Sequence, residues 1–510
     1  MLGGSASVYR AALVLGLVPT VGRADRPDIQ ALSEGRRRRV VILGAGISGL
    51  AAAYELSRKG YDVQVLEASH RAGGRNMTLR ADDLIDEVGS PQRCPFDRDP
   101  DLYFNAGPAR IPGDHAALLG YCKELGVQLA PFINENRNAW VQDDAILGGK
   151  PIRNREYIGD TRGFIAELIA KSLKPDQLLA PFTAADYERV MDYVREFGDL
   201  DKQLKYRGQW RTGPVIDNCA TASQRRQPLD APELMRSEFM YWMSFAEASN
   251  QAATMMEPVG GMDRIVAGFM AKIGPLVQTQ SSVEAIQLRE EGVDVVYRHK
   301  GARHVVHADY CLNCIPMQLL SKIEHNFPRE YADGFSVIPS VRSFKIALQM
   351  KERFWEKEGI YGGISWTLQD IIQIWYPAHG IHRDKGIVIG AYVWDNERFA
   401  ALPPEERLKL AILQGEKVHP GYGSYVDCGV SVVWHRMNHM VGNCADWSSD
   451  LCSRWFDRLR APVGGHYLIG DQVSQYAGWQ EGAIRSAFHA ITDIDQRVRA
   501  APPQRASRAL

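Results

Sequence analysis

Gly44-Ala45-Gly46-Ile47-Ser48-Gly49 is a string whose residue types and spacing suit it to a phosphate. Gly44 permits a tight turn, Gly46 has no Cβ and lets backbone approach a pyrophosphate, and Gly49 lets a helix pack closely on a strand. Alone, the string implies only a dinucleotide. Glu67 and Ala68 stand about 20 residues on, where a carboxylate accepts hydrogen bonds from ribose hydroxyls and disfavours a 2′-phosphate. Arg71-Ala-Gly73-Gly74-Arg75 follows at once. By itself it reads equally as a basic surface turn. In this position two glycines flanked by arginines are expected to form a second phosphate-approach loop, which favours a flavin over a nicotinamide.

These residues need a strand and a helix to hold them. Val40–Leu43 is a continuous apolar, β-branched run, as in a buried parallel strand. Ile47–Lys59 has helical character and ends at Gly60, and Tyr61–Leu66 reads as a second strand. The helix would present free N–H groups and partial positive charge to the phosphates. Further along, Leu118–Leu125, Gly163–Leu173, Ala184–Glu196 and Pro232–Ser249 carry helical apolar spacing, and strands are expected at Ser282–Leu288, Val293–Arg298, Val305–Leu312, Ser343–Met350, Ile371–Tyr376 and Ile387–Trp394. Gly464–Asp471 followed by Gly482–Val498 reads as strand, loop and helix.

With 510 residues the chain exceeds one ordinary domain. Its 45% hydrophobic and 24% charged residues are those of a soluble globular protein. Sixty basic residues face 61 acidic ones, a net charge of −1 that does not favour nucleic acid. Arg36–Arg39 reads as a solvated strand lead-in. The eight cysteines suggest no disulfide framework. Cys311 and Cys314 have CxxC spacing, but no second ligand pair lies nearby, so a buried strand is expected rather than a metal site. The apolar run Ala11–Val18 is far short of the roughly 20 residues of a membrane span. It is either the end of an export signal or a packed helix, which leaves the location open between cytoplasm and export. The tail after Arg499 reads as disordered. Oligomeric state stays open, a homodimer included.

Over roughly residues 38–495 the chain resembles the flavin amine oxidase family, and most of all its bacterial L-amino acid oxidases. The glycine string, Glu67 and the Arg71–Arg75 loop carry that resemblance, with Glu257-Pro-Val-Gly-Gly-Met-Asp263, Val283, and Gly470-Asp471 followed by Gly478-Trp479-Gln-Glu-Gly-Ala483. It implies noncovalent FAD, with the valine backbone at the adenine. One departure is Asp471, where the family often has Glu. Met440-Val-Gly-Asn-Cys444 lies about where monoamine oxidases attach their flavin but lacks their Gly-Gly-Cys-Tyr. The implied fold is a discontinuous Rossmann-like FAD domain (36–90, 250–320, 440–498), a mixed-sheet substrate domain (91–117, 321–439) and a helical insertion (118–249), behind an extension over 1–35.

The same resemblance implies a substrate site. Phe104-Asn-Ala-Gly-Pro108-Ala109-Arg110 matches the segment supplying a carboxylate-binding arginine; without that match a structural ion pair is the better reading of Arg110. Tyr392 matches a tyrosine whose hydroxyl reaches the same carboxylate, the alternative being a core tyrosine. Lys345 matches the lysine that holds a water at flavin N5, the alternative being a solvated lysine on an edge strand. Trp479 would pack beside the substrate and the Gly478 carbonyl would meet its amine. A neutral L-amino acid would then transfer hydride to the flavin, and oxygen would reoxidise it. The products are hydrogen peroxide and an imino acid that hydrolyses to a 2-oxo acid and ammonia. Trp242, Trp366, Trp375, Tyr376 and Trp434 suggest an apolar or aromatic side-chain preference, or simply core. Alternatives are an amine or polyamine oxidase, a tailoring oxidase of an amino-acid-derived metabolite, a monooxygenase, and a binding protein with structural FAD.

Overall fold

A computed structural model describes residues 26–33, 37–174, 183–214 and 224–500. The Ala11–Val18 run and all of the expected tail beyond residue 500 lie outside them. Among the described residues, the glycine string starts from a five-stranded parallel sheet. Its order is Val277–Gln278, Asp62–Leu66, Arg39–Leu43, Tyr310–Asn313 and His466–Leu468. The strands come from distant parts of the chain, so the sheet exists only once the whole molecule has folded. Val40–Leu43 is fully buried because both faces of this sheet are covered. On one face lie the helices Ile47–Ser57, Ala116–Glu124, Asp263–Ile273 and Gln480–Ala500, with Leu50, Tyr121, Phe269 and Ile484 in one core. On the other, Val41 and Leu43 meet Ile286 and Val295 from an antiparallel hairpin sheet.

The expected strand Val305–Leu312 is instead two strands in two sheets, Ala302–Ala308 and Tyr310–Asn313. The apolar pattern runs through the break. Asp309 marks it, its carboxylate accepting the Arg39 N–H at 2.7 Å, and there the chain crosses from hairpin to parallel sheet. Cys311 is buried in the second strand, and Cys314 packs against Gly44 and Gly49.

A seven-stranded mixed sheet holds Ser343–Met350 between Gly386–Trp394 and Val426–Val433. Every residue of Ser343–Met350 is buried, so Lys345 is interior and not on a solvated edge. The strand expected from Ile371 begins at Gln373, because Ile372 takes a φ of +61° that kinks the chain.

The helix expected over Gly163–Leu173 starts earlier and spans Asn154–Ser172. Gly159 and Gly163 are accommodated because Thr212 and Tyr206 fill the space where their Cβ atoms would be. The helix expected over Pro232–Ser249 breaks into Ala231–Arg236 and two 3₁₀ turns, Glu238–Trp242 and Phe245–Glu247. Ser237 stops it: its hydroxyl accepts the Phe239 N–H and donates to Asp143, competing with the helical ladder. Within 118–249, Trp140–Gln142 and Ile152–Arg153 are strands that extend the seven-stranded sheet.

Candidate active site

Gly44, Gly46, Ser48, Glu67, Ala68, Gly73, Gly74, Arg75, Val283, Gly470, Asp471 and Ala483 line one cavity of about 310 Å³. Its construction follows from backbone chemistry. Gly44 has a φ of +103°, which a side chain would strain. A Cβ on Gly49 would stand 2.1 Å from the Gly44 carbonyl oxygen, so Gly49 serves helix–strand packing and does not face the cavity. A Cβ on Gly46 would meet nothing within 4 Å, which leaves open space where a pyrophosphate belongs. No side chain caps the helix that starts after Gly46, so its first N–H groups are left for a ligand. Ala45 is buried behind the loop.

Glu67 is buried and already oriented. Its Oε2 accepts the Ala45 N–H at 2.7 Å and its Oε1 the Ser69 N–H at 2.8 Å, leaving further lone pairs for ribose hydroxyls. Arg75 grips Asp471 through both guanidinium ends, and the Gly478 N–H also reaches Asp471 at 3.3 Å. Asp471 is therefore an internal partner of the arginine loop, joining residues far apart in sequence. A dinucleotide with an extended diphosphate fits this donor set: bare helix N–H groups, an oriented carboxylate, and glycine surfaces open to backbone approach.

The second half of the site begins where Gly107 meets the Arg75 loop. A Cβ on Gly107 would lie 1.8 Å from the Arg75 carbonyl oxygen. Pro108 and Ala109, which do not line the flavin cavity, carry the chain on to Arg110. Arg110 stacks on Trp375, with Cζ 4.6 Å from the ring centroid, and Phe245 is at 5.7 Å. Its Nη2 donates to Gln251 Oε1 at 2.8 Å, while its Nε is buried with no acceptor. It makes no ion pair among the described residues. Burial lowers its pKa to about 10. Lys345 is 3% exposed, and its Nζ donates to the carbonyls of Asn105 and Gly107. That Nζ lies 4.7 Å from the Tyr392 ring centroid and 5.6 Å from that of Trp375. Burial first, and then Arg110, push its pKa down to about 7. Tyr392 is raised by burial, with Arg110 opposing.

The structure thus brings Arg110, Lys345 and Tyr392 around Trp375. The expected flavin residues line the neighbouring cavity, apart from Ala45, Gly49, Pro108, Ala109, Arg110, Gly478 and Trp479, which lie off its wall. Gly478 sits beside Cys444, 3.4 Å from its Sγ to a Cβ built on the glycine, and Cys444 does line that cavity. Trp479 packs edge-on against His115 at 5.0 Å. Of the five aromatics singled out, Trp375 is at the site. Trp242 and Trp366 stack on each other near Phe245. Tyr376 bonds His419 in the core instead, and Trp434 is buried, donating to the Ala106 carbonyl at 3.1 Å. Sequence reasoning missed Gln251, because nothing local marks a glutamine 141 positions from its partner. It also missed Gln373, whose Oε1 accepts the Trp375 indole N–H at 2.6 Å and fixes that ring.

Fold and site together define a flavin-dependent oxidoreductase. The chain belongs to the family of flavin containing amine oxidoreductases, whose model matches residues 47–494. It is similar to an L-amino-acid oxidase of Gloydius halys, 27% identical over 486 residues, covering 90% of this chain and 89% of the relative. An L-amino-acid oxidase of Demansia vestigiata is 27% identical over 485 residues, covering 90% and 87%. Among solved structures, wild-type putrescine oxidase bound to putrescine aligns with a TM-score of 0.61 at 19% identity, covering 90% of this chain and 99% of that one. Cyclohexylamine oxidase from Brevibacterium oxydans IH-35A aligns at 0.59 and 17%, covering 91% and 99%. The fold is that of the amine oxidases, and the cofactor is FAD. No helix among the described residues is long and apolar enough to cross a membrane.

Proposed function

We propose that this protein is an L-amino acid oxidase that anchors its substrate by the α-carboxylate. One observation carries the reading: Arg110 is a half-buried guanidinium whose Nε is wholly buried without an acceptor, and it has no carboxylate partner among the described residues. An unpaired cation in such a place costs several kcal/mol unless something completes it. A bound anion does, and an α-carboxylate matches the fork by two parallel hydrogen bonds. Tyr392 lies close enough to Arg110 for their charges to couple, which supports a role for its hydroxyl at the same carboxylate.

Bound FAD would accept hydride from the substrate Cα and pass the electrons to oxygen, giving hydrogen peroxide. The chain's own residues fix the geometry. Arg110 and Tyr392 hold the carboxylate end, Lys345 keeps a donor at the pocket floor, and Trp375 screens both cations from water. By the family resemblance, the Gly478 carbonyl would meet the amine and Trp479 would pack beside the substrate. The partly buried Phe132 and Phe245, with the buried Trp375, favour apolar or aromatic side chains.

An amine oxidase reading draws on the structural neighbours, but an amine brings no anion to complete the Arg110 guanidinium, whereas an α-carboxylate does. The test is a panel of L- and D-amino acids and simple amines, with peroxide and 2-oxo acid measured together. Turnover of L-amino acids with equal yields of both supports the proposal. Turnover of amines alone overturns it.

A further inference from the structure

The Arg110 guanidinium is not bare. Gln251 Oε1 accepts from its Nη2 at 2.8 Å. A guanidinium has only donors, so the amide must present its oxygen here. The Nη2 and Nε groups form one edge of the guanidinium, and Nε on that edge is buried and without an acceptor. A carboxylate bound side-on needs both. Gln251 thus engages one nitrogen of that edge and leaves the other unfilled.

The glutamine backbone is fixed while its side chain is not. Its N–H donates to the Ala248 carbonyl at 2.8 Å, and its carbonyl accepts from Asn134 Nδ2 at 2.7 Å. No acceptor is recorded for its Nε2 among the described residues. Rotation about the side-chain bonds is then enough to clear the arginine edge, with no loop movement.

We propose that Gln251 is a built-in stand-in for the substrate carboxylate: it holds the Arg110 fork in the ligand-free protein and is displaced when a carboxylate binds. This rests on the carboxylate reading of Arg110. Bond strength decides the exchange. A hydrogen bond between two charged groups is roughly twice as strong as one to a neutral amide, and the carboxylate makes two of them. A neutral amide thus orients the guanidinium and yields. A carboxylate at the same position would not.

The stand-in has a cost, because apparent affinity falls by the fraction of protein in which the edge is open. The test uses the FAD-loaded protein, with benzoate as a carboxylate lacking an amine, followed by calorimetry. Gln251→Met keeps the length and removes the acceptor. It should bind benzoate about tenfold more tightly and lower KM for amino acids. Gln251→Glu should weaken benzoate binding at least a hundredfold. Looser or unchanged binding in Gln251→Met would overturn the proposal and make Gln251 a structural support. Should Gln251→Met fold poorly, Gln251→Asn, whose shorter side chain withdraws the acceptor, should tighten binding in the same direction, and failure to do so is equally decisive. If the wild type neither binds benzoate nor oxidises any amino acid, the carboxylate reading of Arg110 has failed as well. Benzoate binding with unchanged variants removes the stand-in alone.

Discussion

The two halves of the site treat buried charge in opposite ways. In the flavin cavity the charged residues Arg75 and Glu67 already have protein partners: Arg75 is paired with Asp471, and Glu67 with two backbone N–H groups. A few residues away, Arg110 and Lys345 have no acidic partner among the described residues. They are offset only by carbonyls, one amide and the faces of Trp375 and Tyr392. The flavin half is built to be complete without a small anion. The substrate half is left positive, and on the proposed reading that asymmetry would select a carboxylate.

Removing one arginine from each half gives the largest contrast. Arg110→Met deletes a bidentate clamp whose charged hydrogen bonds are worth about 1.5–3 kcal/mol each. We expect kcat/KM for amino acids to fall by about two to four orders of magnitude in steady-state assays, with FAD content and thermal stability preserved or improved. Arg75→Met strands the buried Asp471 carboxylate, a loss of roughly 3–5 kcal/mol. It should lower the melting temperature and the FAD content while the remaining holoenzyme keeps its KM. If both variants fail in the same way, the two halves do not differ as described.

A second contrast lies within the glycine string. Gly49→Ala puts a methyl into the Gly44 carbonyl and should destabilise the FAD-free protein, read as an earlier denaturant midpoint. Gly46→Ala has open space and a φ of −68° that alanine adopts readily. The FAD-free protein should unfold as the wild type does, yet FAD titration should show weaker binding.

That pair also shows what the sequence made legible. Gly44, Gly46 and Gly49 act through backbone geometry fixed within six residues, so their roles could be read before any fold was known. Lys345 sits in a strand whose every residue is buried, and its apolar neighbours Phe344, Ile346, Ala347 and Leu348 point to that. Arg110 was legible only through resemblance, because its chemistry depends on what fails to pair with it. Gln251 and Gln373 were not legible, since they act through contacts made only by the folded chain. The break at Asp309 and the unwinding after Ser237 were missed because apolar spacing continued where a side-chain hydrogen bond, to the distant Arg39 in one case and to the adjacent Phe239 in the other, ended the element.

pH separates the halves more gently. The Lys345 pKa is depressed from 10.5 to about 7. The folded protein therefore binds fewer protons than the unfolded chain between these values, and this group's penalty is fully present below pH 7 and fades as pH rises toward 10.5. Lys345→Met should raise stability most at and below pH 7, with a gain that shrinks above it. His466, in the flavin half, is held neutral by burial with a pKa of about 3. Its contribution is present above pH 6.5 and lost as pH falls toward 3. Chemical denaturation at several pH values checks both signs.

The smallest effect concerns attachment of the cofactor. Burial, followed by Asp471, pushes the Cys444 thiol up to about 12, so it is protonated near neutral pH and a poor nucleophile. Acid precipitation should release the yellow colour into solution; colour retained in the pellet would contradict this.

The carboxylate assignment is tested most directly by pairing each L-amino acid with the amine formed by removing its carboxyl group. The pair should be compared by kcat/KM on the wild-type holoenzyme. We expect the amino acid of at least one pair to be favoured by a factor of 100 or more, on the order of two charged hydrogen bonds, and the preference to vanish in Arg110→Met. Amines oxidised as well as or better than their parent amino acids throughout the set would show that Arg110 does not select the substrate.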